Sequence, residues 1–240
     1  MSDSATPTLQ VRELAVSYGA ARVIGNVNID VAAGEIVGMV GPNGAGKTTT
    51  LRAISALVAR QRGQVMLEGV VLGERPEIMA RAGIAHVPEG RGLIPSLTVH
   101  QNLRLAAIGA GRKLSQEDVA YATAVFPLIE RLMDRRAGFL SGGEQQMVAI
   151  SRGLVARPKI LMIDELSLGL APRIVKDMSR VLRRVANERQ IGIFLVDQNV
   201  RGLSHVCDRI YVLQDGLSSV ANKDDTDLMR AVYFGRATAA

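Results

Sequence analysis

The chain has 240 residues, enough for one or two domains at roughly 150 residues each. Apolar residues make up 48% and charged residues 22%, a globular composition that excludes a disordered or fibrous chain. Lys and Arg outnumber Asp and Glu by 29 to 23, which suits anionic partners, yet the basic residues are scattered and 3% aromatic content offers few platforms for stacking single-stranded bases.

The single cysteine, Cys207, excludes an internal disulfide and fits a reducing compartment. No apolar run approaches the ~18 residues needed to cross a bilayer. The opening MSDSATPTLQ lacks the basic-then-apolar layout of a secretory signal, so neither secretion nor membrane spanning is expected.

Residues 9–31 mix β-branched residues around a turn at Tyr18-Gly19-Ala20-Ala21 and predict two strands of a small antiparallel sheet. The apolar run from Ile36 to Val40 predicts a strand entering a glycine-rich turn. A helix should follow, with apolar positions at Leu51, Ile54, Leu57 and Val58. Short strands are expected near Val65–Leu67 and Ile84–Val87. From Glu89 to about Ala156 helical periodicity takes over, in SLTVHQNLRLAAI and in SQEDVAYATAVFPLIERLMDRR. The second segment opens with Ser115 as N-cap and acidic residues in its first turn. Strand and helix then alternate through KILMID, RIVKDMSRVLRRVANER, IGIFLV, NVRGLSHV and RIYVLQ, which argues for a parallel sheet covered by helices. The expected fold class is α/β, with core segments 8–88 and 157–235, a small antiparallel β-subdomain and a helical insertion over 89–156. Residues 1–7 and 236–240 are expected to be flexible ends.

Three segments carry chemistry. Gly41-Pro42-Asn43-Gly44-Ala45-Gly46-Lys47-Thr48 fits G-x-x-x-x-G-K-[ST] at every fixed position. Its glycines let backbone N–H groups wrap a phosphate, and the helix that follows adds its positive N-terminal end. Lys47 should reach the β- and γ-phosphates, and the Thr48 hydroxyl should ligate Mg²⁺. The alternative is a glycine-rich turn that binds nothing. Ile160-Leu161-Met162-Ile163-Asp164-Glu165 is a buried strand with two carboxylates at its C-terminal end, where ligands bind in open α/β sheets. Asp164 suits a Mg²⁺ ligand acting through water, and Glu165 suits the base that orients or deprotonates the attacking water. Alone, this strand could equally end in a solvated acidic turn. Leu140-Ser141-Gly142-Gly143-Glu144 opens a further helix, readable either as a second phosphate cradle or as a Ser-x-x-Glu capping box.

GPNGAGKTT, LSGGEQ and ILMIDE, in that order around a helical insertion, resemble the nucleotide-binding subunit of ATP-binding cassette (ABC) transporters, over roughly residues 8–235. The resemblance implies an ABC-type P-loop NTPase core, ATP and Mg²⁺ as ligands, and two cassettes paired head to tail around two ATP molecules. It adds Thr49 to the phosphate loop and assigns Ser141, Gly142, Gly143 and Glu144 to the partner chain's ATP. Tyr18 matches the aromatic residue that stacks on adenine, although a half-buried strand tyrosine would look the same. Glu89, in HVPEG, stands where most cassettes carry a Gln that touches Mg²⁺ and the transmembrane partner. Gln198, in VDQN, stands at the usual His position facing the γ-phosphate. Ala171 replaces a common Asp. Leu166 replaces the Pro that commonly follows the Glu, so a looser turn is expected there.

VPEGR, SLGLAP, LVDQN and the tail AVYFG are similar to cassettes of branched-chain and other hydrophobic amino-acid importers, with urea and amide importers sharing much of the pattern. That branch implies integral membrane permeases, a second and non-identical cassette, a periplasmic or extracellular substrate-binding protein, and a peripheral place on the cytoplasmic face of the inner membrane. A soluble cassette ATPase acting on nucleic acid or ribosomes is the rival, but such proteins usually carry two cassettes or long coiled coils, and no nucleic-acid partner is expected. Cys207 and the methionines read as core, and Arg180, Arg183 and Arg184 as a solvated helix face.

Overall fold

The computed structural model describes residues 7–221; the tail AVYFG and the ends 1–6 and 236–240 lie outside the described residues. Strands β1 (Leu9–Tyr18) and β2 (Ala21–Val31) form the expected hairpin, with Tyr18 opposite Ala21. On its other edge β1 pairs antiparallel with β4 (Arg62–Leu67), which pairs with the short β5 (Val70–Val71). The core strands are β3 (Ile36–Val40), β6 (Ile84–Val87), β7 (Ile160–Asp164), β8 (Gly192–Val196) and β9 (Arg209–Gln214). They run parallel in the order β9-β3-β8-β7-β6. Strand β10 (Leu217–Ala221) is antiparallel to β9 and meets β2 at one parallel pair, Leu217 with Asn26, so the antiparallel strands join the core edge to edge.

Every residue of β3, β7 and β8 is buried, as strands covered on both faces require. The period of two divides their side chains between two apolar clusters. Met39, Met162, Phe194 and Val196 face one side, with Leu51 and Ile54 of α1 (Lys47–Ile54) and the β1–β2 hairpin. Val40, Ile163 and Leu195 face the other. There they meet α5 (Gly142–Val155), α6 (Pro172–Arg189) and, further out, α3 (Val99–Gly109) and α4 (Gln116–Val125). Cys207, just after α7 (Val200–Ser204), is buried in the same cluster. No helix among the described residues is long and apolar enough to cross a membrane.

Helix α1 is shorter than its apolar spacing predicts. Ser55 ends it and Ala56 takes a left-handed φ of 56°, which turns Leu57 outward at 56% exposure. The SQEDV… segment is also not one helix. Ser115 and Asp118 close a capping box at the start of α4. Phe126 is extended because Pro127 follows it, and a 3₁₀ turn over Pro127–Leu132 replaces the rest. Burial would raise the Asp118 carboxyl, but the Ser115 N–H and the guanidinium groups of Arg157 and Arg112 hold it at about 2.

A looser turn at Leu166 is not found. Leu166 is buried in the core, and the chain after it is pinned where Asp197 accepts from the Ser167 N–H and hydroxyl, both at 2.9 Å. Ala171 leaves α6 without a side-chain N-cap, and Pro172 occupies its first turn. Arg180 pairs with Asp177, Arg183 with both oxygens of Asp208, and Arg184 donates to the Val125 carbonyl, as on a solvated helix face. Helix α2 (Pro76–Ala82) and strand β10 were not anticipated from the sequence.

Candidate nucleotide-binding and hydrolysis site

The loop between β3 and α1 turns tightly: the Ala45 N–H donates to the Pro42 carbonyl at 3.2 Å, and the Thr50 N–H to the Gly46 carbonyl at 2.8 Å. Gly46 has φ 101°, and a side chain there would meet Val23 and Ile24 of β2 at 3.2 Å. Only glycine combines that backbone with that approach. The buried Lys47 folds back over the loop, its Nζ donating to the carbonyls of Gly41 at 2.8 Å and Pro42 at 3.0 Å. Burial lowers its pKa, opposed by the charges of Glu165, Asp164 and Asp197. Pro42, Asn43 and Gly44 are exposed at the loop tip, and Ala45, Thr48 and Thr49 are half-buried. A glycine-rich turn, the start of a helix and the Lys47 ammonium thus meet at the end of β3, a combination that suits polyphosphate.

Asp164 ends β7 at 2% exposure, and neither carboxylate oxygen has a hydrogen-bond partner. Burial raises its pKa to about 6. The Thr48 hydroxyl lies close enough to oppose that rise without a bond of good geometry; Glu165 and Glu89 add to the rise, and Lys47 opposes it. A buried carboxylate beside a hydroxyl, with both oxygens unused, fits a hard divalent cation whose other ligands are water and phosphate oxygens. No cluster of three or more His, Cys, Asp or Glu that could hold a metal ion is found among the described residues.

In the folded chain Asp164 holds its proton more tightly than in the unfolded one. Its folded pKa of about 6 exceeds the unfolded value of 3.8, so the folded state holds the extra proton between them, and the burial cost is fully present above pH 6. Asp164→Asn should therefore stabilise the metal-free chain at pH 8 by on the order of 1–3 kcal/mol. The gain should shrink as pH falls through 6 toward 4. Melting curves of both proteins with chelator across that range check it; a gain that does not depend on pH would contradict it.

Glu165 follows in a left-handed conformation (φ 51°), its N–H donating to the Val196 carbonyl at 2.7 Å. That bond ties the end of β7 to the end of β8 and aims both following side chains into one place. There the Gln198 amide donates from Nε2 to Glu165 Oε1 at 2.6 Å. Between them in sequence sits Asp197, buried and bonded to Ser167 and to the Asn199 N–H. Sequence reasoning gave Asp197 no role, although a carboxylate at the C-terminal end of a parallel strand is a signal for one. Lys47, Thr48, Asp164, Glu165 and Gln198 thus gather at the C-terminal ends of β3, β7 and β8. Glu89 is exposed and reaches this group through its field on Asp164.

Tyr18 ends β1 at 48% exposure, on the hairpin whose other strand packs against Gly46. Ser141 N-caps α5: its N–H donates to Glu144 Oε2 at 2.7 Å, and its Oγ accepts from the Glu144 N–H at 3.4 Å. The first of these bonds holds the Glu144 carboxyl below its usual range. The capping box forms, and the N–H groups of Gly142 and Gly143 still open the helix, so both readings of the segment remain available. Gly142 and Gly143 lie against Arg91, Leu170 and Ile174.

A glycine-rich phosphate loop, paired strand-end carboxylates and a second capped helix start on an α/β sheet define a nucleoside-triphosphate-hydrolysing cassette. The ABC transporter family matches residues 24–167, and the chain belongs to that family as an ATP-binding, ATP-hydrolysing domain. It is 36% identical over 209 residues to the high-affinity branched-chain amino acid transport ATP-binding protein BraG of Pseudomonas aeruginosa, covering 87% of this chain and 89% of that one. It is 34% identical over 237 residues to the lipopolysaccharide export system ATP-binding protein LptB of Escherichia coli, covering 95% and 97%. A solved ATP-binding subunit of an ABC transporter superposes with a TM-score of 0.79 at 30% identity, covering 97% of this chain and 95% of that one.

Proposed function

We propose that this chain drives an importer for branched-chain or other hydrophobic amino acids. The similarity to BraG carries this reading, together with VPEGR, SLGLAP and LVDQN at the three loops around the site. ATP would sit with its phosphates in Gly41–Thr49 and its adenine on Tyr18, and Lys47 would exchange the Gly41 and Pro42 carbonyls for phosphate oxygens. Mg²⁺, held by Thr48 and Asp164 with Glu89 nearby, would neutralise charge on the phosphates. Gln198 holds one oxygen of Glu165, leaving the other to take a proton from water. Ser141, Gly142, Gly143 and Glu144 would face the ATP of a second, non-identical cassette.

Partners in this reading are two membrane permeases and a substrate-binding protein, with the chain peripheral on the cytoplasmic face. The helical segment 89–156 supports permease docking, because Ile94, Leu105, Ile108 and Phe139 expose apolar surface there, Phe139 at 72%. The similarity to LptB favours a second reading, lipopolysaccharide export. Uptake of labelled leucine by cells lacking this chain separates the two. The import reading predicts lost uptake with normal lipopolysaccharide at the surface. Normal uptake with lipopolysaccharide retained inside would replace it with the second.

A further inference from the structure

Helix α5 is fastened at two points to the loop that carries Glu89. The Arg91 guanidinium donates from Nη1 to Gln145 Oε1 at 2.8 Å, and Gln145 in turn donates to the Ala137 carbonyl at 3.0 Å. Seven residues along α5, Arg152 donates to the carbonyls of Arg91 at 3.3 Å and Gly92 at 2.5 Å. Residues seven apart lie on one face of a helix, about two turns or ~10 Å apart. The loop is therefore riveted along the helix rather than touching it at one place.

The fastening carries costs that packing alone does not explain. Gly90, Arg91 and Gly92 are all left-handed, at φ 72°, 70° and 59°, and Arg91 has a side chain that disfavours that region. Arg152 has no carboxylate within ion-pair distance among the described residues; its side chain is bonded only to those two carbonyls, and burial lowers its pKa. Arg91 Nη2 lies 3.1 Å from where a Gly142 side chain would begin, directly beneath the start of α5. One arginine thus has its backbone two residues from Glu89 and its side chain under Ser141–Gly143.

We propose that Arg91 is a positioning residue that, with Gln145 and Arg152, locks the Glu89 loop to α5, so that Glu89 and Ser141–Gly143 move as one unit. This rests on the reading in which Glu89 faces the chain's own nucleotide and Ser141–Gly143 face the partner's. A shift of Glu89 as metal and phosphate bind is then transmitted along α5 to the segment that closes the other site. The Arg91–Gln145 fastening is polar and reaches through a single side chain, so it can be cut without emptying the core.

The test is steady-state ATPase of the full chain in its assembled transporter, with nucleotide affinity measured on the isolated chain by a fluorescent ATP analogue. Arg91→Gly keeps the left-handed turn and removes only the side chain. It should retain its melting temperature and the analogue's affinity while kcat falls roughly tenfold or more, since small misplacements of a site are that costly. Arg91→Lys should recover part of kcat. Arg91→Gly combined with Gln145→Ala should lose no more than the worse single variant, as partners in one contact do. Full kcat in Arg91→Gly, or losses that multiply in the double variant, would overturn the latch. Ser141→Arg is the control for the underlying reading. If it leaves turnover intact, the assignment of Ser141–Gly143 fails whatever Arg91 does.

Discussion

Lys47→Ala should abolish ATP hydrolysis, by roughly a hundredfold or more, and weaken ATP binding. Lys47 is the one cation inside the loop, and Glu165, Asp164 and Asp197 all favour its charged form against burial. Its present bonds are to the Gly41 and Pro42 carbonyls, acceptors that phosphate oxygens can replace. The truncation leaves the fold standing, because Leu51 and Ile54 of α1 remain packed in the apolar core. Titration with a fluorescent ATP analogue and a phosphate-release assay check both halves. Unchanged binding and turnover would show that the loop does not hold the phosphates.

Glu165→Gln should keep ATP affinity near wild type and lower turnover by roughly 10²–10⁴-fold, the scale of losing a general base. The substitution preserves shape and leaves the Gly41–Thr48 loop untouched. Gln198→Ala should act on the same step from behind. It frees the Glu165 oxygen that Gln198 now holds at 2.6 Å, so kcat should fall with little change in KM. Single-turnover ATPase measures both. A Glu165→Gln variant that turns over at full rate would remove Glu165 as the base.

Much of the candidate site was legible because the chemistry proposed for it needs fixed residues at fixed spacing. The phosphate loop is one contiguous stretch, and ILMIDE gives its strand and both carboxylates together. Contacts between distant segments were not legible. Nothing in VPEGR announces that Arg91 reaches Gln145, 54 residues away, nor that Asp197 closes on Ser167 from a neighbouring strand. Those depend on which strands lie side by side, which periodicity does not encode. The fold followed the same division. Fully apolar runs marked β3, β7 and β8, but the boundary of α1 depended on the left-handed Ala56, for which the sequence carries no mark.

Strand β10 is a different case. Asp215 and Gly216 both have positive φ (50° and 72°), the two-residue turn that joins β9 to β10. Asp-Gly between β-rich runs signals that hairpin, so the sequence does carry its cue. Phe126-Pro127 likewise announced the end of α4.

The measurement that bears most directly on the account is gel filtration of Glu165→Gln with ATP and Mg²⁺. If Gly41–Thr49 of one chain and Ser141–Gly143 of another enclose one ATP, a variant that binds without hydrolysing should collect as the closed pair. Because the native pair is read as non-identical, the cognate second cassette is added where this chain alone stays single. The account predicts a shift to the size of two cassettes with ATP and Mg²⁺, none with ADP, and loss of the shift when Ser141→Arg is added although the ATP analogue still binds. Pairing that ignores nucleotide, or that survives Ser141→Arg, would contradict it.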